Sequence, residues 1–418
     1  MKLVGEIILP GDKSISHRAL MLNAISYGKA TISNLLRSQD ILATINVLRN
    51  LGVKIEEFED QVIVYGRGFS SLKEPQVALD CQNSGTTARL LLGLLAGLDI
   101  NATIIGDNSL TKRPMKRVTD YLLSLNGKIV LTNENYLPAK VLSSKIKASE
   151  IHLHISSAQV KSALMLAALK SQDTTIIHEL SKSRNHTELM LDYLGCDIEV
   201  NDLSIKLSGK KDLICKDIII PGDLSSAAFF IIGCLINPGS AVLLKNCGLN
   251  PTRIGLLKVL DMINAQYEIL NRRTYGNEIC GDIYIKYQDG LRSFTIEKDL
   301  VPLLIDEIPI LALLATQIEG TSIIKDANDL RVKESDRLNA IYENLKKLGG
   351  NIYQTEDGLI IKGKTELHGN IVNTYHDHRI SMMLKVAQTL CKEIKIENDC
   401  VDNISYPNFV IDLQKLLK

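Results

Sequence analysis

Asp12-Lys13-Ser14-Ile15-Ser16-His17-Arg18 stands at the head of the apolar run Ala19 to Ile25, and its reading decides the fold. A polar lip on an apolar run has the character of a helix N-terminus, and the lip recurs. The later openings are NSGTTAR from Asn83, SSAQVKS from Ser156, DLSSAAF from Asp223, DEIPILA from Asp306 and HDHRIS from His376. Successive lips are about 71, 73, 67, 83 and 70 residues apart. Self-similarity at a period of this kind overrides local guesses, because each copy needs neighbours to bury its apolar face. The lip varies between copies, so chemistry is expected there.

Each apolar run leads, usually through a small or polar break, to a β-prone segment such as ATISNL or NATIIG. A second helical run follows and commonly stops near Gly52, Gly127, Gly195 or Gly349. HRALMLNAI and VKSALMLAALK carry apolar residues on more than one face and predict helices buried on most sides. EIHLHIS and IYIKY alternate and predict half-exposed strands. Helices should therefore lie inside and sheets outside. Six α/β units divide into three and three. The seam falls where Ile218-Ile219-Ile220-Pro221-Gly222-Asp223 echoes Ile7-Ile8-Leu9-Pro10-Gly11-Asp12. With the first strand crossing over, one domain is expected to hold residues 1–12 and 223–418, and the other residues 13–222.

A chain of 418 residues is long for one core and comfortable for two. Its 48 basic and 48 acidic side chains balance, which argues against nucleic acid as a partner and leaves any anion site to a local cluster. The eight cysteines form no CxxC pair and no zinc-knuckle spacing, so reduced thiols in the cytoplasm are expected. The short apolar run before Pro10 reads as a strand rather than a secretory signal. No stretch has the length to span a bilayer, and no membrane association is expected.

A helix N-terminus offers unpaired N–H groups and the positive end of the macrodipole, so several lips facing one cleft would favour a multiply phosphorylated ligand. GxxxxGK[ST] is absent, which argues against a nucleotide-hydrolysing P-loop. Lys13, Arg18, Arg89, Arg113, Lys333, Arg337 and Arg379 are spread over the lips and nearby segments, with Lys112 beside Arg113. Any one could be a solvated surface charge; their recurrence at lips favours a single anion pocket. Asp306, heading an apolar stretch, could be a desolvated base or a helix cap. Glu334 could be an acid–base group or half of a helix ion pair. His376-Asp377-His378 lacks a third ligand of clear spacing, so no metal is expected. His152 and His154 should share the polar face of a strand, and His17 and His186 are ordinary polar candidates.

DKSISHR, NSGTTAR, Lys112-Arg113-Pro114, SSAQVKSA, SRNHTE, LIDEIP, RVKESDR and HDHR occur in this order along the whole chain. In this the chain resembles the EPSP synthase family, and SRNHTE its second sequence class. The resemblance implies two domains, each an inside-out α/β barrel of three βαβαββ-like repeats, with the active site in the interdomain cleft. It implies transfer of the carboxyvinyl group of phosphoenolpyruvate to the 5-hydroxyl of shikimate 3-phosphate, by a monomer without cofactor. Carried over by motif, Lys13, Ser14, Arg18, Ser157, Ala158, Gln159, Asp306 and Lys333 would hold shikimate 3-phosphate. Lys13, Gly85, Arg113, Gln159, Arg337, His378 and Arg379 would hold phosphoenolpyruvate. Asp306, Glu334 and Lys13 would be the catalytic acid–base groups.

Two departures stand out. The segment Asn403-Ile404-Ser405-Tyr406-Pro407 lacks the cation that some members carry, and the third lip has Ala158 where others have serine, for which Arg184 could compensate. The nearest alternative, UDP-N-acetylglucosamine carboxyvinyl transfer, would call for Lys-Asn at the first lip and a cysteine between Gly106 and Met115; neither is present. An RNA 3′-phosphate cyclase would call for basic excess. A non-catalytic phosphosugar binder would leave Asp306, Glu334 and Lys13 without a role.

Overall fold

The computed structural model describes residues 1–399 and 404–418, which form two compact units. The first unit comprises Met1–Pro10, Pro221–Thr274 and Ile279–Lys418, and the second comprises Gly11–Ile220 with the turn Tyr275–Glu278.

One sheet pattern recurs in both units. In the second unit Ile218–Ile219, Tyr27–Ser33, Gln61–Arg67 and Lys54–Glu57 lie side by side; the first pair is parallel and the others antiparallel. Two further sheets of that unit and two of the first unit repeat the four-stranded order. The sixth, among the described residues, is the parallel pair Ile371–Asn373 and Lys395–Glu397.

The repeated Ile-Pro-Gly-Asp phrase marks an exchange of strands. Val4–Ile8 pairs with Ala241–Gly248, in the first unit, whereas Ile218–Ile219 pairs with Tyr27–Ser33, in the second. The chain therefore changes unit at Pro10–Gly11 and again at Ile220–Pro221. Both glycines are required by close approach. A Cβ at Gly11 would lie 2.0 Å from Asn34 O, and one at Gly222 would lie 2.7 Å from Leu9 Cβ. Any larger residue would push these backbones apart.

The six lips open six helices, numbered α1 (Lys13–Ala24), α2 (Gly85–Ala96), α3 (Ala158–Ala168), α4 (Leu224–Ile236), α5 (Ile308–Gln317) and α6 (His378–Ala387). Burial runs round them: Ile15 through Ala24 of α1 and every residue of α4 are buried. A strand such as Tyr136–Leu142 instead alternates buried with exposed positions. Helices thus fill each interior and sheets cover it. At about 1.5–3 kcal/mol per fully buried Leu or Ile, this burial is the main force holding each unit together.

Side chains of Asp12, Ser84, Ser157, Asp223 and Asp377 accept backbone N–H groups in the first turns of α1, α2, α3, α4 and α6. The fifth lip differs: Glu307 is the cap residue of α5 and makes no side-chain cap bond, so Asp306 is not the cap. Three of the second helical runs stop as expected, with Gly52, Gly195 and Gly349 in the left-handed region just past the end. Beside Gly127 the turn is made by Asn126 at φ 65°.

Candidate active site

In the second unit the first three lips are joined by hydrogen bonds. Arg18 is 3 % exposed. Its Nε donates to Thr187 Oγ1 at 2.6 Å, Nη2 to Ser162 Oγ at 2.7 Å and Nη1 to Ser14 O at 2.9 Å. Burial lowers its pKa to about 10, opposed by Glu188 and Asp12. Beside Ser162 and Glu188, fully buried Lys161 bridges Glu179 at 3.0 Å and Glu188 at 2.5 Å. The first lip is thereby tied to the third. Arg89 ties the third to the second: its Nη1 donates to Gln159 Oε1 at 2.7 Å, while Gln159 Nε2 donates to Thr86 Oγ1 at 3.0 Å.

The first and second lips are joined through a buried chain. His17 Nδ1 meets Thr44 Oγ1 at 2.8 Å, Thr44 meets Thr87 Oγ1 at 2.7 Å, and Thr87 donates to Ser84 Oγ at 2.7 Å. Burial, with Lys13 and Arg18 nearby, drives His17 well below its ordinary pKa, so its ring is neutral.

Lys13 Nζ is 2.9 Å from Asp40 Oδ2, and Ser14, Ser157, Ala158 and Gln159 are all half-buried. Arg113 is nearly buried, donating to Asn83 Oδ1 at 2.7 Å, Ser109 Oγ at 3.0 Å and Asn83 O at 3.2 Å. Lys112 is exposed, unlike its neighbour. A Cβ at Gly85 would stand 3.3 Å from Arg89 Nη1 and 3.4 Å from Arg113 Nη1. The bare glycine leaves two guanidinium groups bounding a space at the N-terminus of α2, a setting suited to an anion.

The first unit joins its three lips in the same manner. Arg337 is 1 % exposed and faces three carboxylates: Asp377 Oδ2 at 2.8 Å, Glu334 Oε2 at 2.6 Å and Asp306 Oδ1 at 3.3 Å. Burial alone would depress this guanidinium; Asp377, Glu334 and Asp306 outweigh it and hold the pKa above its ordinary value. Lys333 shifts the other way, lowered by burial with Asp306 only partly opposing. Glu334, its side chain 16 % exposed, is thus half of an i,i+3 pair with buried Arg337 rather than of a solvated surface pair.

Asp377 also caps α6, accepting the Arg379 N–H at 2.8 Å and Ser335 Oγ at 3.1 Å. Arg379 Nη1 donates to Ser225 O at 3.2 Å, which joins the sixth lip to the fourth. His378 is buried beside it. The fourth lip is anchored by buried Arg253, which reaches Asp223 Oδ1 at 3.0 Å and Ser225 Oγ at 2.7 Å.

The structure therefore gathers Lys13, Ser14, Arg18, Gly85, Arg113, Ser157, Ala158 and Gln159 in one unit, and Asp306, Lys333, Glu334, Arg337, His378 and Arg379 in the other. Sequence reasoning gave no positioning role to Ser162 and Thr187, which hold Arg18, to Asp377, which holds Arg337, or to Arg253, which anchors the fourth lip. Ser162 in SSAQVKSA, Thr187 in SRNHTE and Asp377 between two histidines of the sixth lip lie inside quoted motifs, whereas Arg253 carried no local signal. Arg184 is half-buried and lies close enough to Arg18 to depress its pKa. His186 Nδ1 meets Glu278 Oε1 at 2.6 Å. Asn403, in the segment read as lacking a cation, lies outside the described residues.

The family model for EPSP synthase (3-phosphoshikimate 1-carboxyvinyltransferase) matches residues 1–413. The chain belongs to the EPSP synthase family. Curated 3-phosphoshikimate 1-carboxyvinyltransferases include one from Oceanobacillus iheyensis, 48 % identical over 419 residues, covering 100 % of this chain and 97 % of the relative. One from Listeria innocua is 45 % identical over 420 residues, covering 100 % and 98 %. The EPSP synthase structure from Acinetobacter baumannii is 36 % identical, with a TM-score of 0.89 over 99 % of this chain and 96 % of that one. An enolpyruvyl transferase from Streptomyces tendae, at 16 % identity and a TM-score of 0.81, shares the fold. Within the EPSP synthase family the activity is carboxyvinyl transfer to 3-phosphoshikimate, and the UDP-N-acetylglucosamine alternative falls away.

Proposed function

We propose that the two stitched sets of lips serve one reaction, in which phosphoenolpyruvate and shikimate 3-phosphate give 5-enolpyruvylshikimate 3-phosphate and inorganic phosphate. The observation that carries this reading is the family match over residues 1–413 of a chain whose buried cations cluster at the lips of helices in both units. Two phosphates and two carboxylates repel one another. Cations already fixed by hydrogen bonds offset that repulsion without reorganising during the reaction.

Lys13, Ser14, Arg18, Ser157, the Ala158 backbone and Gln159 would hold shikimate 3-phosphate, completed by Asp306 and Lys333. Gly85, Arg113, Arg337 and Arg379 would grip phosphoenolpyruvate, with Lys13 and Gln159 shared and His378 alongside. In the addition step Asp306 takes the proton of the 5-hydroxyl as its oxygen bonds to C2, and the methylene carbon takes a proton from Glu334 or Lys13. The result is a tetrahedral ketal. In the elimination step the group that protonated the carbon takes a proton back from the new methyl group, the C2–O bond to phosphate breaks as the carbon–carbon double bond forms, and the proton held on Asp306 passes through solvent to the phosphate, whose departure Lys13 assists. The reading further places the protein in the cytoplasm as a monomer. Among the described residues no helix is long and apolar enough to cross a membrane. The cysteines among the described residues are free thiols, which fits a reducing compartment.

Running the reaction in heavy water and following it by NMR tests the scheme. The expected result is the enolpyruvyl product with deuterium in its methylene group, and less deuterium entry in Glu334→Gln. No product would overturn the function. Undiminished deuterium entry in the variant would remove Glu334 from carbon protonation.

A further inference from the structure

Away from the lips, the parallel pair Glu150–His152 and Thr175–His178 places His152 directly opposite His178. Side chains two apart on a strand share a face, so Glu150 and His152 emerge together while Ile151 is buried at 4 % exposure. Three side chains of ligating type therefore converge on one outer sheet face. Glu150, His152 and His178 each present a ligand atom within 4.8 Å of the other two, the one such group of three among the described residues.

The geometry is more particular than a surface ion pair. The imidazole rings stack with centroids 4.4 Å apart and planes 12° from parallel. Both Nε2 atoms lie near the same oxygen, Glu150 Oε1, at 2.8 Å for His178 and 3.8 Å for His152. A hydrogen bond accounts for the first approach and not for the second. Around tetrahedral zinc, with bonds of roughly 2.0–2.2 Å, ligand atoms stand about 3.4 Å apart, between these two distances. Because the two ring planes are nearly parallel, the imidazoles must turn out of their stack about χ1 and χ2 to aim both lone pairs at one ion, a rotation their exposed or half-buried positions permit, while the paired strands hold the backbones in place.

We propose that Glu150, His152 and His178 form a surface site for a divalent transition metal of the zinc type, two imidazoles and one carboxylate leaving room for water. Imidazole suits zinc, copper and nickel, whereas magnesium and calcium require oxygen ligands. The ion would clamp Glu150–His152, an edge strand paired on one side only, to its neighbour. The first strand leads within five residues to the Ser157 cap of α3, and the second leads directly to Glu179, a partner of Lys161. The site would thus brace the scaffold behind the third lip without touching substrate. His376-Asp377-His378 plays no part, since Asp377 already accepts from Arg337, Ser335 and the Arg379 N–H.

The test is to strip the full-length protein with chelator and titrate it with cobalt, read by visible absorption, and with zinc, read by equilibrium dialysis. One equivalent should bind with tetrahedral cobalt bands, and zinc should raise the melting temperature by a few degrees. His152→Ala, His178→Ala and Glu150→Gln should each weaken binding at least about tenfold. These exposed or half-buried positions should tolerate substitution, checked by circular dichroism. Wild-type protein that binds no equivalent at micromolar free zinc overturns the proposal, as does binding undiminished in the double variant His152→Ala/His178→Ala.

Discussion

Arg337 Nε donates to Asp377 Oδ2 at 2.8 Å, both side chains buried, while the other oxygen of Asp377 accepts the backbone N–H of Arg379. One carboxylate thus orients one cation directly and fixes the helix end that carries another. Asp377→Asn should keep the shape and lose the charge. A charge-assisted hydrogen bond contributes about 1.5–3 kcal/mol, so the KM for phosphoenolpyruvate should rise roughly tenfold or more. Asp377→Ala should also destabilise the protein by about 3–5 kcal/mol, because a buried charge loses a partner. Steady-state kinetics with urea unfolding check both; an unchanged KM in Asp377→Asn would refute the positioning role.

Gly85→Ala separates space from fold. The added methyl would meet the tips of Arg89 and Arg113 at 3.3 and 3.4 Å, far ends of long side chains that can give way. Replacing the first residue of α2 with alanine should leave stability unchanged or raise it by about 0.4–1 kcal/mol. The two guanidinium groups should be displaced, and the KM for phosphoenolpyruvate should rise about tenfold while that for shikimate 3-phosphate changes less. Equal rises in the two KM values would show that the space beside Gly85 is shared.

Lys333 sets a limit on the alkaline side. An ordinary lysine loses its proton near 10.5, and burial lowers Lys333 below that value. If its ammonium holds shikimate 3-phosphate, the alkaline limb of kcat/KM for that substrate should fall below pH 10.5. Lys333→Arg should move the limb to higher pH, since guanidinium stays charged there. A limb that does not move would assign the titration to another group.

His17 governs an acid-side loss of stability. Its folded pKa lies well below 6.5, so between the two values the unfolded chain takes up a proton that the folded chain refuses. Stability is fully present above pH 6.5 and falls as pH drops toward the folded pKa, by at most about 1.4 kcal/mol per pH unit. His17→Gln should start less stable, having disturbed the chain through Thr44 and Thr87, and should lose less stability on acidification. Parallel pH profiles for the two proteins would contradict this origin.

The lips were legible because capping is local. Asp12, Ser84, Ser157, Asp223 and Asp377 each act within three residues of themselves, and the apolar runs behind them are too evenly apolar to be anything but interior. The Pro-Gly echo was legible as well, since the same strand exit against a crowded backbone demands the same two residues. What holds the lips together was not, because those partners are distant in the chain. Arg18 meets Thr187 across 169 residues, Arg89 meets Gln159 across 70 and Arg253 meets Asp223 across 30. Periodicity carries no information about such pairs. The turn Tyr275–Glu278 belongs with the second unit although its strands do not, through contacts such as Glu278 with His186. His152 and His178 likewise meet only once the register of two strands is known.

The central claim is that this chain joins phosphoenolpyruvate to shikimate 3-phosphate. Phosphate release should be measured with phosphoenolpyruvate and each of two acceptors in turn, shikimate 3-phosphate and UDP-N-acetylglucosamine. The account predicts rapid release with the first and none above background with the second. No release with shikimate 3-phosphate, or equal release with both, would contradict it.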